Sequence, residues 1–202
     1  MTAEVQTVLD YAAEHQTRLS KLIVEVGAGD GDYLSHAQAL IDGHDWWAVL
    51  IEPDDRAFAS LHDRYVGRSK VVCQHAAVGT EHGRATLRQG TDWSVSHLDG
   101  TQTHVQATYS QEQETLVLPL AAVLATCPTA GILSIDTEGM DTAILETFLT
   151  GEHTCPLPQF LIIEGNTEEE REKQQYIAVL HDYYPIDLIE PNQIFVRGGR
   201  LS

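Results

Sequence analysis

Leu22-Ile23-Val24-Glu25-Val26-Gly27-Ala28-Gly29-Asp30-Gly31 is an apolar run that ends in three glycines at alternate positions. No polar face interrupts the run, which is the pattern of a strand buried on both sides of a sheet. The glycines remove side chains where the chain must turn sharply, and they let a ligand approach the backbone. Tyr33, Leu34, Ala37, Leu40 and Ile41 follow at helical spacing, so a helix is predicted straight after the turn. A strand, a glycine turn and a helix form the first half of a nucleotide-binding βαβ unit.

Downstream, the same alternation repeats. Trp46 to Ile51 reads as a second buried strand and ends in Glu52-Pro53. Glu52 lies 21 residues after Gly31, where an acid at a strand end reaches a ribose. Pro53 and Asp54 also open a helix, which gives Glu52 a second, purely structural reading as a helix-start acid. Lys70 to His75 is a third strand, and Gln74, His75 and Ala76 at its end are placed to flank a base. Gly131 to Asp136 and Phe160 to Ile163, which ends in Glu164, are two further buried strands. They bring Asp136 with Glu138, and Glu164, to the carboxyl ends of the sheet, where open α/β folds bind ligands.

Upstream, residues 2 to about 19 read as an amphipathic helix that covers the sheet. Asp141 is a candidate N-cap, and Thr167 with Glu170 a capping box. Tyr176, Ile177, Leu180 and Tyr184 are the expected buried face of the last helix. Ile186 to Ile189 and Ile194 to Val196 read as an antiparallel hairpin. A polar region from Gln89 to Gln113 is anchored by Trp93, Val95, Leu98, Val105 and Tyr109, and it is expected to form a substrate loop or lid. His97 and His104 within it are candidate bases or acceptor contacts.

With 202 residues the chain is expected to form one domain. Its 12 Lys and Arg stand against 30 Asp and Glu, a net charge of −18, which argues against nucleic acid and anionic membrane as partners. Three widely spaced cysteines make neither a disulfide framework nor a zinc pattern. There is no signal-peptide pattern and no apolar segment of membrane-spanning length. A soluble cytoplasmic protein is the expectation.

The ordered set of motifs resembles the FkbM-type branch of class I S-adenosylmethionine-dependent methyltransferases. Val24 to Gly31 and Leu50-Ile51-Glu52-Pro53 look like the first two motifs of the class. Ala76-Ala77-Val78-Gly79, Ile135-Asp136-Thr137-Glu138-Gly139 and Ile162-Ile163-Glu164 look like those of the branch. The resemblance implies a Rossmann-like, doubly wound, mostly parallel seven-stranded sheet with an antiparallel C-terminal hairpin strand. It implies transfer of a methyl group from S-adenosylmethionine to a hydroxyl of a small-molecule or glycosylated acceptor. The implied cofactor-binding residues are Glu25, Gly27, Ala28, Gly29, Gly31, Glu52, Pro53, His75, Ala76 and Asp136. Asp136 is the implied catalytic residue, and Asp136, Glu164 and Asn166 are candidate ligands for Mg²⁺, as in catechol-type methyltransferases. Two positions depart from the pattern: Ser134 stands where the family has Lys, and Asp141 where it has Glu. A nicotinamide-dependent oxidoreductase is an alternative, although G-x-G-x-G departs from the dinucleotide spacing. A non-catalytic ligand-binding member of the fold is another. The oligomeric state stays open, a homodimer included.

Overall fold

The opening apolar run forms β1 (Leu22–Val26), with all five residues buried. It lies inside a seven-stranded sheet, two strands from one edge, in the computed structural model, which describes residues 1–101 and 108–198. The other strands of that sheet are β2 (Trp47–Glu52), β3 (Val71–His75), β8 (Ile132–Ile135), β9 (Phe160–Glu164), β10 (Tyr183–Ile189) and β11 (Asn192–Arg197). Their order is β10-β11-β9-β8-β1-β2-β3. The five strands from β9 to the β3 edge are parallel, and β11 runs antiparallel between β9 and β10. This is the doubly wound sheet with an antiparallel C-terminal hairpin strand that the sequence predicts. The sheet switches direction of winding at β1, so β2 and β3 lie on one side of it and β8 and β9 on the other. A crevice at the strand carboxyl ends follows from that reversal.

The helices are α1 (Ala3–Glu14), α2 (Gln38–His44), α3 (Asp55–Tyr65), α4 (Leu120–Leu124), α5 (Asp141–Thr150) and α6 (Glu168–Leu180). Two apolar clusters pack on opposite faces of the sheet. Ile144, Leu145 and Phe148 of α5 build one; Val5 and Val8 of α1 with Leu40 and Leu61 build the other. Among the described residues, no helix is long and apolar enough to cross a membrane.

Several local expectations are corrected. Helix α1 ends at Glu14 rather than near residue 19. The helix after the glycine turn begins only at Gln38, and Tyr33 and Leu34 are 64% and 72% exposed. The intervening N–H groups go to side chains instead of to a helix. Asp32 and Tyr33 donate to Asp30, His36 donates to Glu25, and Ala37 and Gln38 donate to Ser35. In α6 the capping box of Thr167 and Glu170 is present. Its buried face carries Gln174, Ile177 and Ala178, whereas Tyr176 and Leu180 are 68% and 64% exposed and Tyr184 lies beyond the helix, in β10.

The polar region also folds more than a loop would. β4 (Ala77–Gly79), β5 (Gly83–Gly90), β6 (His97–Leu98) and β7 (Tyr109–Pro119) form a second sheet in the order β4-β7-β5-β6. A 3₁₀ turn, Trp93–Val95, links β5 to β6. Val105 and His104 lie outside the described residues.

Candidate active site

The crevice at the strand ends is a cavity of about 310 Å³, at the lower end of the range for small-ligand sites. The first sheet supplies its floor and the second sheet, with the 93–98 segment, one wall.

The glycine turn is bound to β2. Gly27 and Ala28 N–H both donate to the Ile51 carbonyl at 3.0 Å, and Gly29 N–H donates to Glu52 Oε2 at 2.8 Å. Gly27 has φ +78°, and a Cβ there would lie 1.7 Å from the Asp136 carbonyl oxygen. Only glycine permits that approach of β1 to the Asp136 loop. Trp93 packs over the turn, since a Cβ on Gly29 would lie 2.4 Å from its ring. Gly31 does not line the cavity; it packs under Leu61 and Tyr65 of α3, whose phenol donates to its carbonyl at 3.0 Å.

Glu52 is buried at the end of β2 and lines the cavity. Its Oε1 accepts from Asp54 N–H at 2.8 Å. Burial pushes its carboxyl up to about 7, against the pull of the two N–H donors. Pro53 and Ala76 also line the cavity. His75 does not: it is stacked on Phe58 at 4.5 Å, with Nε2 3.1 Å from the Pro53 carbonyl oxygen.

Glu25 is a cavity residue, but both of its oxygens are engaged by the turn it supports. They accept from Ser35 Oγ at 2.8 Å and from His36 N–H at 2.6 Å. Burial raises its pKa, opposed by nearby His36. The His36 ring fills the space beside Ser134. Its Nδ1 lies 2.8 Å from Ser134 Oγ, and its Nε2 lies 3.6 Å from Glu4 of α1. The hydrogen bond with His36 lowers Glu4 to about 2. A histidine from the turn thus occupies the neighbourhood of the position where the resembling family has lysine. No sequence signal separated His36 from a helix residue.

Asp136 opens onto the cavity at the end of β8, with protein around the rest of its carboxyl. Although the residue as a whole is exposed, desolvation of its carboxyl by the surrounding protein, then the negative charges of Glu164, Asp141 and Glu138, raise it well above the usual carboxylate range. Asp136, Asp141 and Glu164 each place an oxygen within 4.8 Å of the others. This all-oxygen set fits a hard divalent cation such as Mg²⁺. Asp141 joins Asp136 and Glu164 in this set, and Asn166 lines a neighbouring hollow together with Asp141 and Glu164. Asp141 is also not an N-cap. It is the first residue of α5, and its oxygens accept from Thr137 and Gly139 N–H at 2.9 and 3.3 Å. Burial and Glu164 push it up to about 7.

The second sheet contributes Ala77, Val78, Leu87, His97 and Leu98 to the cavity. The 93–98 segment is tied to α3. Asp54, its N-cap, accepts from Ser96 Oγ at 2.8 Å and from Arg56, which also reaches the Gly90 carbonyl at 2.9 Å. Sequence reading anticipated Trp93, Val95 and Leu98 as anchors but not this attachment.

No family model and no curated protein sequence matches the chain. Solved structures do match in fold. The methyltransferase FkbM of Methylobacillus flagellatus aligns with a TM-score of 0.55 at 15% identity, over 94% of this chain and 47% of that one. The chain thus spans about half the length of that protein. The fibrillarin pre-rRNA processing protein of Methanococcus jannaschii aligns at 0.51 and 12% identity, over 91% and 69%. A Pyrococcus horikoshii protein assigned as an RNA methyltransferase aligns at 0.50 and 12%, over 96% and 82%. The chain has the class I methyltransferase fold.

Proposed function

We propose that the chain is an S-adenosylmethionine-dependent O-methyltransferase acting on a hydroxyl of a small-molecule or glycosylated metabolite. One observation carries this reading. The glycine turn with Glu52, and Asp136 with Glu164, face a single cavity from opposite sides of β1.

S-adenosylmethionine supplies an electrophilic methyl carbon on a sulfonium. The Gly27–Gly29 backbone gives its amino-acid portion room, and Glu52 is positioned to accept from ribose hydroxyls. The apolar residues Ala76 to Val78 offer a surface for the base. Transfer to a hydroxyl would require the acceptor oxygen to be held in line with the methyl carbon and its proton to be taken up. Asp136 is the group to receive that proton. Its raised pKa makes it a stronger base than an ordinary carboxylate once ionised. Holding the acceptor oxygen in line supplies the other part of the rate. In a metal-assisted form of the reaction, Asp136 would instead hold a divalent cation with Glu164 and with Asn166 or Asp141, and the cation rather than a free Asp136 would lower the pKa of the acceptor hydroxyl.

RNA methylation is the activity that the assigned name gives to the Pyrococcus horikoshii protein. For this chain the net charge of −18 and the cavity carboxylates favour an uncharged or cationic acceptor. The free cysteines suit a reducing, cytoplasmic setting.

Calorimetry with S-adenosylhomocysteine tests the cofactor half. Binding in the micromolar to millimolar range is expected, weakened at least about tenfold by Glu52→Ala. An absence of binding, or a Glu52→Ala variant that binds like wild type, would sink the proposal.

A further inference from the structure

His97 stands out among the polar cavity residues because its bonding is incomplete. The side chain is only 6% exposed and lines the cavity, yet Nδ1 is buried with no hydrogen-bond partner among the described residues. Its aromatic neighbour Tyr109 packs edge-on at 5.1 Å, a contact between rings. Buried ring nitrogens in folded proteins are nearly always satisfied, so one left open beside a cavity points to a ligand.

The surroundings indicate which part of a ligand. His97 pairs with Arg88 and its neighbour Leu98 with Leu87 across β5 and β6. The strands of the second sheet otherwise give the cavity Ala77, Val78, Leu87 and Leu98, all apolar. An apolar wall with one hydrogen-bonding group suits a flat heteroaromatic base, whose faces are apolar and whose edge is polar. The acidic groups Asp136 and Glu164 lie on the other side of β1, away from Glu52 and Ala76. His97 is held to the Glu52 side. Ser96 Oγ bonds Asp54, and Asp54 N–H bonds Glu52.

We propose that His97 is a ligand-binding residue that hydrogen-bonds the nucleoside half of the adenosyl cofactor from the second sheet. The proposal rests on the reading of this cavity as a cofactor site. It assigns the imidazole to cofactor recognition rather than to proton removal from the acceptor.

The test is calorimetry with two probes, S-adenosylhomocysteine and 5′-methylthioadenosine, which lacks the amino-acid portion. His97→Phe is expected to weaken both about tenfold, the value of one lost hydrogen bond in a dry site. His97→Asn, which keeps a hydrogen-bonding group, is expected to recover to within about threefold of wild type. His97→Phe binding both probes like wild type overturns the proposal, and so does a loss confined to S-adenosylhomocysteine. If the Phe variant fails to fold, ¹⁵N spectra of the wild-type ring decide: the His97 nitrogens must shift on saturation with methylthioadenosine, and unmoved signals overturn the assignment. Wild type binding neither probe removes the cofactor-site reading itself, an outcome distinct from intact binding with an indifferent His97.

Discussion

Glu52 is under two opposed influences. Burial favours its neutral form, while Gly29 and Asp54 N–H favour the carboxylate, and burial prevails, taking the pKa from 4.5 to about 7. Glu4 shows the reverse balance, because its bond to His36 outweighs burial and lowers it to about 2. The two therefore act on stability in different pH windows. The unfolded Glu52 carboxyl releases its proton near 4.5, whereas the folded one keeps it to about 7. Between those values the native state binds the extra proton, so stability falls as pH rises through this window. The full decline from this group is about 3 kcal/mol. Glu4 instead contributes stability above 4.5 that is lost as pH falls toward 2. Glu52→Gln should remove its share of the decline, leaving the portions from Asp141, raised to about 7, and from Glu25 and Asp136, which are raised as well. Urea unfolding of both proteins at intervals from pH 4.5 to 8 measures this, and parallel profiles would refute it.

At the scale of elements, β1, β2, β8 and β9 were legible because each is an apolar run closed by a turn residue or an acid. The reading failed where side chains took over backbone bonding. Tyr33 to Ala37 have helical spacing, but Asp30, Glu25 and Ser35 capture the N–H groups a helix would use. The last helix misled for a related reason. Gln174 occupies its inner face because its amide donates to the Glu164 carbonyl and to Thr142 Oγ1, so apolar spacing did not mark the buried side. The second sheet was only partly visible. Its strands alternate, yet the parallel pairing of Ala77 with Val117 is a contact between segments 40 residues apart that no local pattern encodes. In the site, Glu52 and Asp136 were legible as acids at strand ends. His36 and Asp54 were not, since their roles arise from partners distant in sequence. The attachment of the 93–98 segment through Ser96 can be tested as an element property. Ser96 Oγ accepts from Gly90 N–H and donates to Asp54. Ser96→Ala should cost about 1 kcal/mol of global stability. It should also speed amide exchange across residues 91–98 about fivefold or more, through local opening. Unchanged exchange there would show that packing of Trp93 on the glycine turn, rather than the Ser96 bond, holds the segment.

At the scale of the whole molecule, charge decides which acceptors can approach. The formal charge is −18, and most cations are already committed. Arg56, Arg64, Arg68, Lys70, Arg84, Arg88, Arg171 and Lys173 each lie in an ion pair with a carboxylate. Affinity for nucleic acid comes chiefly from cations that displace counterions from phosphates, and a cation paired with Asp or Glu must first give up that partner. The cavity adds repulsion where its lining carboxyls, Asp136 and Glu164, are ionised. Exposed charges are screened beyond about 8 Å at physiological salt, so the repulsion should be strongest in dilute buffer, where non-specific RNA binding is normally strongest. The expected result is no change in anisotropy of a labelled single-stranded RNA in 50 mM salt with protein up to about 100 µM, the weak end of ordinary non-specific affinity. Binding below about 10 µM that weakens steeply with added salt would overturn this, and would require a cationic surface that the ion-paired side chains do not provide.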